Sequence, residues 1–378
     1  MPSSAGSLQA LAPLLPGFGV SRIADVTGLD RVGWPVAAVY RPNARSAVVS
    51  HGVGADFEIA KLAGVMEAIE HFHAEHIELP SRLGSILDLS TTHVLANVDG
   101  VIVAERTAPI QWVEGIDLLN ETTVGLPLDL VHLDRTISSP ASSTGLAAAF
   151  SAAEAQRHAL CEIIERDAAA SWFARPPKAQ AATRLDLRTV GSADALALLE
   201  RIAKAGLHVA VWDATSDIGV AVLLCNLVEA GTAPLPPAAS AWGMAAHLDR
   251  DRAIVKCLEE ALLARLATIA AVSDDIGFAD LVPILDGAVM ERIDVVWRGI
   301  GQRRFASVPS RAADTAVGEV AWLLDRFKAA GFGCVIAVDL TRPEFGIAVV
   351  RVVVPGMGDI AAPRGSRVRL PGLPVFGP

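Results

Sequence analysis

The sequence predicts an α/β fold in which repeated β-hairpins lead into long helices and the sheets pack on those helices. The main observation is an internal repeat, because residues 205–227 and 329–354 both read as Ala-Gly, strand, Asp-x-Thr turn and strand. A third, shorter copy begins at Asp25. Long helices follow two of the copies. Hydrophobic residues are 52% of the chain and charged residues 20%, which is enough for a large core.

Residues 1–17 are expected to form a loosely held tail, and residues 18–378 a single domain. Strand-like runs occur at 34–40 and 46–54, and a β-rich connection without a recognisable motif spans 80–140. Helices are predicted over four segments, 55–76, 146–173, 193–205 and 249–272. The Asp and Thr of each repeat are predicted to form turns by bonding the local backbone, with a catalytic role as the alternative.

Composition excludes several classes of function. The net charge of −10 argues against a nucleic-acid backbone as the main partner. No apolar run approaches the roughly 20 residues that a membrane-spanning helix needs, and the N-terminus has no basic segment typical of a signal peptide. The four cysteines are far apart and lie in apolar runs, so buried free thiols and a reducing, cytoplasmic location are expected.

A narrow polar stripe is predicted on the helix that follows the small-residue loop 142–145. Its members are Glu154, His158, Glu162 and Glu165, spaced 4, 4 and 3 residues apart within an arc of roughly 80°. Two carboxylates three residues apart would repel by roughly 3 kcal/mol if they were unpaired. Mg²⁺ is the hard cation that carboxylate oxygens suit. A solvated face, or a salt bridge with Arg157 or Arg166, is the alternative.

The helix over residues 55–76 repeats this spacing with Glu67 and Glu70, which have apolar neighbours. Buried like charges are costly unless they are paired or metal-bound. His71, His73 and His76 raise the alternative of a zinc site, but their spacing does not put all three on one face, so exposed or supporting histidines are expected. The third helix carries Lys256 and Glu260 four residues apart. The simplest geometry brings the two Glu-x-x-Glu pairs together around shared cations.

Four segments, in order, resemble the signatures of the YcaO superfamily. They are HGVGADFEIAKLAGVMEAIEH, TGLAAAFSAAEAQRHALCEIIERD, GMAAHLDRDRAIVKCLEEALLARL and FGIAVVRVVVPGM. The resemblance covers roughly residues 21–357, nearly the whole chain. The opening SRIADVTGLDRVGWPV is most similar to the subgroup encoded beside TfuA-type proteins.

The resemblance implies a YcaO-like catalytic domain with a central nucleotide pocket that uses ATP and Mg²⁺. Such enzymes phosphorylate a backbone amide oxygen of a peptide, and the TfuA-associated group is linked to thioamides. Carried over by position, the metal ligands would be Glu67, Glu70, Glu162 and Glu165. Arg166 and Lys256 would be catalytic and would contact the nucleotide. The other cofactor-binding positions would be Thr144, Gly145, Glu154, His158 and Glu260.

This sequence departs from the family pattern at several positions on the phosphate side. Val53 stands in place of a Lys, His71 in place of an Arg, and Thr144 in place of an Asn. Phe150 lies where a polar nucleotide contact can occur, and Leu263 replaces a Gln. The unperturbed pKa of histidine, near 6.5, would leave His71 mostly neutral at pH 7. The metal carboxylates are intact.

Three hypotheses follow from the resemblance. The first is ATP- and Mg²⁺-dependent modification of a peptide or protein amide, giving a thioamide with a TfuA-like partner. The second is another YcaO chemistry that forms azolines or amidines; the C-terminal sequence RVRLPGLPVFGP lacks the alternating proline tail of azoline-forming members. The third is a peptide-binding scaffold that no longer uses ATP. Dimers are common in the family, so a homodimer is compatible with the resemblance.

Overall fold

The structure is a computed structural model that describes residues 4–96, 107–134, 142–229, 240–270, 297 and 300–357. Its helices are α1 (Ser4–Leu11), α2 (Phe57–Glu75), α3 (Ile86–Leu89), α4 (Ala152–Phe173), α5 (Pro177–Ala181), α6 (Ala193–Lys204), α7 (Arg250–Ile269) and α8 (Ala316–Ala329). Its strands are β1 (Arg22–Asp25), β2 (Val36–Tyr40), β3 (Val49–Val53), β4 (Ser81–Gly84), β5 (Ile110–Asp117), β6 (Thr122–Pro127), β7 (Leu146–Ala149), β8 (Leu185–Asp186), β9 (Leu207–Asp213), β10 (Ala221–Glu229), β11 (Ser240–His247), β12 (Arg303–Arg304), β13 (Ile336–Asp339) and β14 (Ala348–Val353). The predicted α/β class is confirmed.

Three antiparallel three-stranded units make up most of the sheet structure. They are β1-β2-β3, β9-β10-β11 and β13-β14-β7. The last unit is part of a six-stranded sheet in which β13 pairs with β5, and β5 also pairs with β4 and β6. The chain supplies the first two units in sequence order. The third is assembled from distant segments, because Leu146 on β7 pairs with Arg351 on β14. Strands β8 and β12 form a separate short parallel pair.

The Asp-x-Thr turns have the same hydrogen bonds in all three units, as the sequence predicts. The Asp carboxylate accepts from the Thr backbone N–H at 2.9–3.0 Å in each copy. The Thr hydroxyl then accepts from the N–H of a valine at the start of the next strand, at 3.1–3.2 Å. The valines are Val36, Val222 and Val349. The pair therefore fixes where the hairpin closes, which is the structural role expected of it.

The last strand of each unit leads into a long helix, and the packing of these helices closes into a ring. Helix α2 packs on β3 of its own unit and on β7 of the next. Helix α4 packs on β7 and on β11 of the next unit, and α7 packs on β11 and on β3 of the first. Side-chain caps start the three helices, from Asp56, Ser151 and Asp249. Each long helix thus lies between two units and can present side chains where the units meet.

The N-terminal segment is not the loosely held tail that the sequence predicted. Residues Ser4–Leu11 form a helix that packs on α2, and Leu11 is 1% exposed. Phe18 is fully buried against Phe72, His73 and Phe345. The apolar side chains of this segment therefore belong to a core cluster, which offsets the entropic cost of ordering it.

The remaining segments agree with the sequence except at their ends and at Leu146–Ala149, where strand β7 replaces the start of the predicted helix 146–173. The predicted helices at 55–76 and 193–205 correspond to α2 and α6, and the β-rich connection contains β4, β5 and β6. The third long helix ends at Ile269, and residues 271–272 of its predicted range lie outside the described residues. The Pro-rich C-terminal sequence also lies outside them. In the described part of the chain, no helix has both the length and the apolar character needed to cross a bilayer.

Candidate active site

A cavity of about 420 Å³ lies between α2, α4, α7 and strand β11. It is lined by His51, Glu67, His158, Cys161, Glu162, Glu165, Arg166, Trp242, Gly243, Met244, Ala245, Ala246, Lys256, Glu260, Leu263, Ala264 and Ala267. The second pocket described, of about 460 Å³, lies around Trp112 and β4, away from the predicted site residues. The first cavity therefore brings acidic residues of three different helices together.

All four predicted metal carboxylates are held by backbone N–H groups of strands or strand ends. Glu67 accepts from His51 at 2.9 Å and Glu70 from Ala148 at 2.8 Å. The same arrangement holds on α4, where Glu162 accepts from Gly145 at 3.1 Å and Glu165 from Ala246 at 3.0 Å. In each pair the first glutamate bonds the strand of its own unit, and the second bonds the strand of the next. The helix ring thus fixes the orientation of both pairs.

The three long helices place their polar groups at equivalent positions. Glu67, Glu162 and Glu260 each lie ten residues after the first residue of their helix. Three residues further on, α2 has Glu70, α4 has Glu165 and α7 has Leu263. Two of the three meeting points therefore carry a Glu-x-x-Glu pair, and the third carries one carboxylate and one leucine.

The surroundings of the site disfavour the charged form of its carboxylates. Burial raises the pKa of Glu67 to about 7, with further contributions from Glu260 and Glu162. Burial also raises the pKa of Glu70 well above its usual range and that of Glu165 to about 8, although Arg166 opposes the second shift. The pKa of Glu260 is raised for the same reason. Buried acids that repel one another are typical of sites that bind cations.

Arg166 is the main counter-charge of the α4 pair. Its guanidinium lies 3.5 Å from Glu162 and 3.6 Å from Glu165, and it also contacts the Met244 sulfur at 3.7 Å. The salt-bridge alternative is thus correct for Arg166 but wrong for Arg157, which pairs with Glu319 at 3.0 Å. Within the described residues, neither Glu67 nor Glu70 has an arginine or lysine partner. Among the described lining residues, the carboxylates therefore outnumber the arginine and lysine side chains.

A basic end of the cavity lies toward the N-termini of α4 and α7. His158 and Lys256 occupy equivalent positions, six residues into each helix, and both are open to the cavity. The protein around His158, together with Lys256 and Arg157, lowers the pKa of its imidazole, so the ring is neutral at pH 7. Lys256 is then the charged group at this end and, like Arg166, could contact an anionic ligand.

The site suits a magnesium ion that is bound by protein carboxylates and a phosphate ligand together. It suits less well an ion whose ligands all come from the protein. Among the residues with described positions, no group of three His, Cys, Asp or Glu side chains is arranged to hold a metal ion by itself. Mg²⁺ is usually bound by one or two carboxylates, with waters and substrate phosphates completing the octahedron. Each carboxylate here uses one oxygen for its backbone bond. The four carboxylates therefore offer oxygen donors, the type that Mg²⁺ prefers.

Three of the predicted cofactor-binding residues do not line the cavity. Gly145 has a positive φ of 80° and acts through its N–H, which holds Glu162. The N–H of Thr144 bonds Ser142, and Glu154 accepts from Ser151 in the first turn of α4. The cavity does contain His158, Arg166, Lys256 and Glu260, together with all the predicted metal ligands except Glu70.

The positions that depart from the family pattern lie in different surroundings. Leu263 lines the cavity, whereas Val53 and Phe150 do not, and Phe150 is 45% exposed. His71 is 8% exposed and His73 1% exposed, so of the two expected roles, exposed or supporting, the exposed one does not apply to either. His73 packs among aromatic rings and its Nδ1 bonds the Ile69 carbonyl at 2.8 Å.

Sequence reasoning missed several cavity residues. His51, Trp242 and Met244 come from strands, and Cys161, Ala264 and Ala267 from helices. The helical ones could have been found, because Ala264 and Ala267 share the helical face of Lys256 and Glu260. The strand residues carried no such signal, since their place depends on how the units meet.

Comparison with known proteins supports this description. The family model described as YcaO cyclodehydratase, ATP- and Mg²⁺-binding, matches residues 51–358. A protein of Rhizobium leguminosarum bv. trifolii, described as an uncharacterized protein in the tfuA 3′ region, is 29% identical over 367 residues, covering 93% of this chain and 87% of that protein. An uncharacterized protein of Methanothermobacter thermautotrophicus is 29% identical over 370 residues, covering 93% of each.

Solved structures have the same fold. YcaO from Methanopyrus kandleri, bound with AMPPCP and Mg²⁺, has a TM-score of 0.75 and 22% identity, with 98% of this chain and 95% of that one covered. A heterocyclase in complex with substrate and cofactor has a TM-score of 0.74 and 17% identity. The match covers 93% of this chain but only 52% of the heterocyclase chain. ATP and Mg²⁺, the predicted cofactors, are those in the family's description, which confirms that prediction.

Proposed function

This chain belongs to the YcaO family, and from that premise we propose that it activates a peptide backbone amide by ATP-dependent phosphorylation of the amide oxygen. We further propose that a sulfur nucleophile then replaces this oxygen, so that the product is a thioamide, and that a TfuA-like protein is the partner in the cytoplasm. The observation that carries the proposal is that Glu67 of α2 lines one cavity with Glu162 and Glu165 of α4, while Glu70 lies close enough to Glu162 for their charges to interact.

The charge balance of the cavity explains why a metal is needed. The described lining holds four carboxylates, Glu67, Glu162, Glu165 and Glu260, against the two cations Arg166 and Lys256. A triphosphate would be repelled by this surface unless divalent cations accompanied it. When bound, Mg²⁺ would neutralise the phosphate oxygens, which is most of what phosphoryl transfer requires of its site. The carboxylates would hold the ions at fixed places because backbone N–H groups orient them.

The protein's own residues would then position the reactants. Lys256 and Arg166, which both line the cavity, would contact phosphate oxygens. The amide oxygen of the peptide would form a bond to the terminal phosphorus while the bond to ADP breaks. The sulfur nucleophile would next add to the amide carbon, and the carbon–oxygen bond would break with phosphate as leaving group. Water exclusion by the buried cavity walls would limit competing hydrolysis.

Thioamide formation is favoured over the other family chemistries by two observations. The opening sequence around Asp25 is similar to the TfuA-associated subgroup, and a relative at 29% identity is encoded in a tfuA 3′ region. The direct test is incubation of the protein with MgATP, sulfide, a TfuA-like protein and a short peptide, both chosen from the genomic neighbours of its gene. Mass spectrometry should show replacement of one oxygen by one sulfur, dependent on ATP. Loss of water from a Cys, Ser or Thr residue instead would indicate azoline formation.

Binding of MgATP separates the enzyme from the scaffold alternative. Calorimetry with wild-type protein, Glu67→Gln and Glu58→Gln gives a matched comparison on one helix, since Glu58 is 45% exposed and lies outside the cavity. We expect binding by the wild type and Glu58→Gln and a large loss in Glu67→Gln. Absence of binding by the wild type would favour a scaffold that no longer uses ATP.

A further inference from the structure

The character of the cavity wall changes along α7. Lys256, Glu260, Leu263, Ala264 and Ala267 all line the cavity, and their spacing of one turn or less places them on the same face. The wall therefore runs from an ammonium group, through a carboxylate, to hydrocarbon. A ligand lying along α7 would meet charged groups at one end and apolar groups at the other.

Strand β11 adds to the apolar end. Trp242 and Met244 line the cavity together with Gly243, which approaches Cys257 and Ala261 of α7 so closely that a Cβ would collide with their backbone. The Trp242 ring stacks on Trp212, with centroids 5.4 Å apart and planes at 27°, and meets Phe173 edge-on at 5.4 Å. Trp242 is thus a wall fixed by other aromatic rings. We use the term apolar end for Trp242, Met244, Leu263, Ala264 and Ala267.

Leu263 distinguishes the apolar end from the equivalent positions on the other two long helices. It occupies the position that Glu70 has on α2 and Glu165 has on α4, thirteen residues after the start of each helix. At the other two meeting points a second carboxylate stands there and bonds a strand N–H. The third meeting point has Leu263 there and keeps only the single carboxylate of Glu260, so it lacks the paired acids that a metal ion would share at the other two.

The hydrogen-bonding capacity of the apolar end decides which part of a substrate it suits. Among its described residues the polar atoms of side chains are the indole nitrogen of Trp242 and the sulfur of Met244, and that sulfur already contacts Arg166. The side chains of this end offer few partners to the ring nitrogens and the amino group of a purine base, and each such group buried without a partner is costly. A hydrocarbon or aromatic side chain would lose no hydrogen bonds and would gain burial.

We propose that the apolar end is the acceptor subsite, and that it binds a large apolar side chain of the peptide beside the amide that is modified. This inference rests on the proposed function, because it assigns the substrate class of the same site. The phosphates then occupy the charged middle of the cavity. Selectivity among peptides follows from Ala264 and Ala267, which leave room for the side chain, and from Trp242, which packs against it.

Short peptides test this subsite directly. The probes are N-acetyl-Gly-X-Gly amides with X as Leu, Phe, Ser or Asp, titrated by ligand-observed NMR with Mg²⁺ and a non-hydrolysable ATP analogue. We expect the Leu and Phe peptides to bind at least about tenfold more tightly than the Ser and Asp peptides, the range that one apolar pocket supplies. Ala264→Phe, which fills the subsite, should abolish the preference, and Ala264→Ser, which keeps its size, should reduce it.

A matched control lies on the same helix. Ile269 is 37% exposed and does not line the cavity, so Ile269→Phe should keep the preference. Affinity for the ATP analogue should change less than affinity for the Leu peptide in Ala264→Phe. Equal loss of both would assign the apolar end to the nucleotide base and overturn the proposal, as would wild-type protein that binds all four peptides alike. Wild type that fails to bind the analogue would contradict the proposed function, and the peptide series without nucleotide would still decide the subsite.

Discussion

The carboxylate of Glu165 on α4 accepts a hydrogen bond from the backbone N–H of Ala246 on β11, 3.0 Å away. These residues are 81 positions apart and belong to different hairpin units. The bond orients a buried acid whose charge the surrounding protein disfavours, since burial raises the pKa of Glu165 to about 8. Such an arrangement costs stability in the free protein and is expected where a cation restores the balance.

The first prediction concerns this cost. Glu67→Gln should stabilise the ligand-free protein at pH 8, because the neutral amide keeps an oxygen that can accept from His51 but removes a buried charge near Glu162 and Glu260. The raised pKa of about 7 corresponds to a gain on the order of 3 kcal/mol. Chemical denaturation measures the change. Glu58→Gln, on the exposed side of the same helix, should leave the free energy of unfolding within about 0.5 kcal/mol.

The second prediction concerns Glu165→Gln, and how its effect on the free energy of unfolding depends on pH. The folded protein holds a proton on this group up to about pH 8, whereas the unfolded chain releases it near the ordinary value of 4.5. Between these values the folded state binds more protons, so its stability falls as pH rises. The difference in unfolding free energy between wild type and Glu165→Gln should therefore grow in the variant's favour from pH 5 to pH 8. A difference that is constant with pH would contradict the raised pKa.

The third prediction concerns how closely α2 approaches β3. A Cβ on Gly52 would collide with the backbone oxygen of Ala60 and the backbone nitrogen of Gly64, and neither atom can move aside as a flexible side chain could. Gly52→Ala should therefore destabilise the protein by at least about 2 kcal/mol, as overpacking does. Gly191→Ala is the control, because no atom lies within 4 Å of its added Cβ. Melting temperatures of the two variants give the comparison, and equal values would show that the helix can shift.

The fourth prediction tests the repeated turn. The hydroxyl of Thr215 accepts a hydrogen bond from the backbone N–H of Val222. The residue Val222 is fully buried. Thr215→Val keeps the shape but leaves this N–H without its acceptor, so the protein should lose about 1–3 kcal/mol of stability. Thr122→Val, at an exposed position of strand β6, should have little effect. A neutral Thr215→Val would mean that the turn does not depend on this bond.

Local sequence patterns predicted the parts of the fold that depend on neighbours in the chain. The Asp-x-Thr turns, the helices and the spacing of Glu162 and Glu165 all follow from residues within a few positions of one another. The position of β7 could not be predicted in this way, because its partner β14 lies about 200 residues away. The same limit explains His73, whose burial depends on Phe18 and Phe345 from the two ends of the described chain.

The site was predictable to a similar extent. The carboxylates could be found because acids with apolar neighbours at helical spacing need an explanation. The donors that orient them, such as the N–H of Ala148, and the cavity wall at Trp242 depend on contacts between hairpin units. No pattern within one segment encodes such contacts. The ring of helices was therefore needed to see that Leu263 stands where two acids stand elsewhere.

The most direct test of the central claim is a double-mutant cycle on MgATP affinity with Glu67→Gln and Glu165→Gln, measured by calorimetry. If both helices contribute to one metal-phosphate site, each single substitution should lower the affinity for MgATP at least about tenfold. The factor lost in the double variant should be much smaller than the product of the two single-variant factors. Wild-type protein that binds MgATP with an affinity unchanged by either substitution, or with two losses that simply multiply, would contradict a shared site.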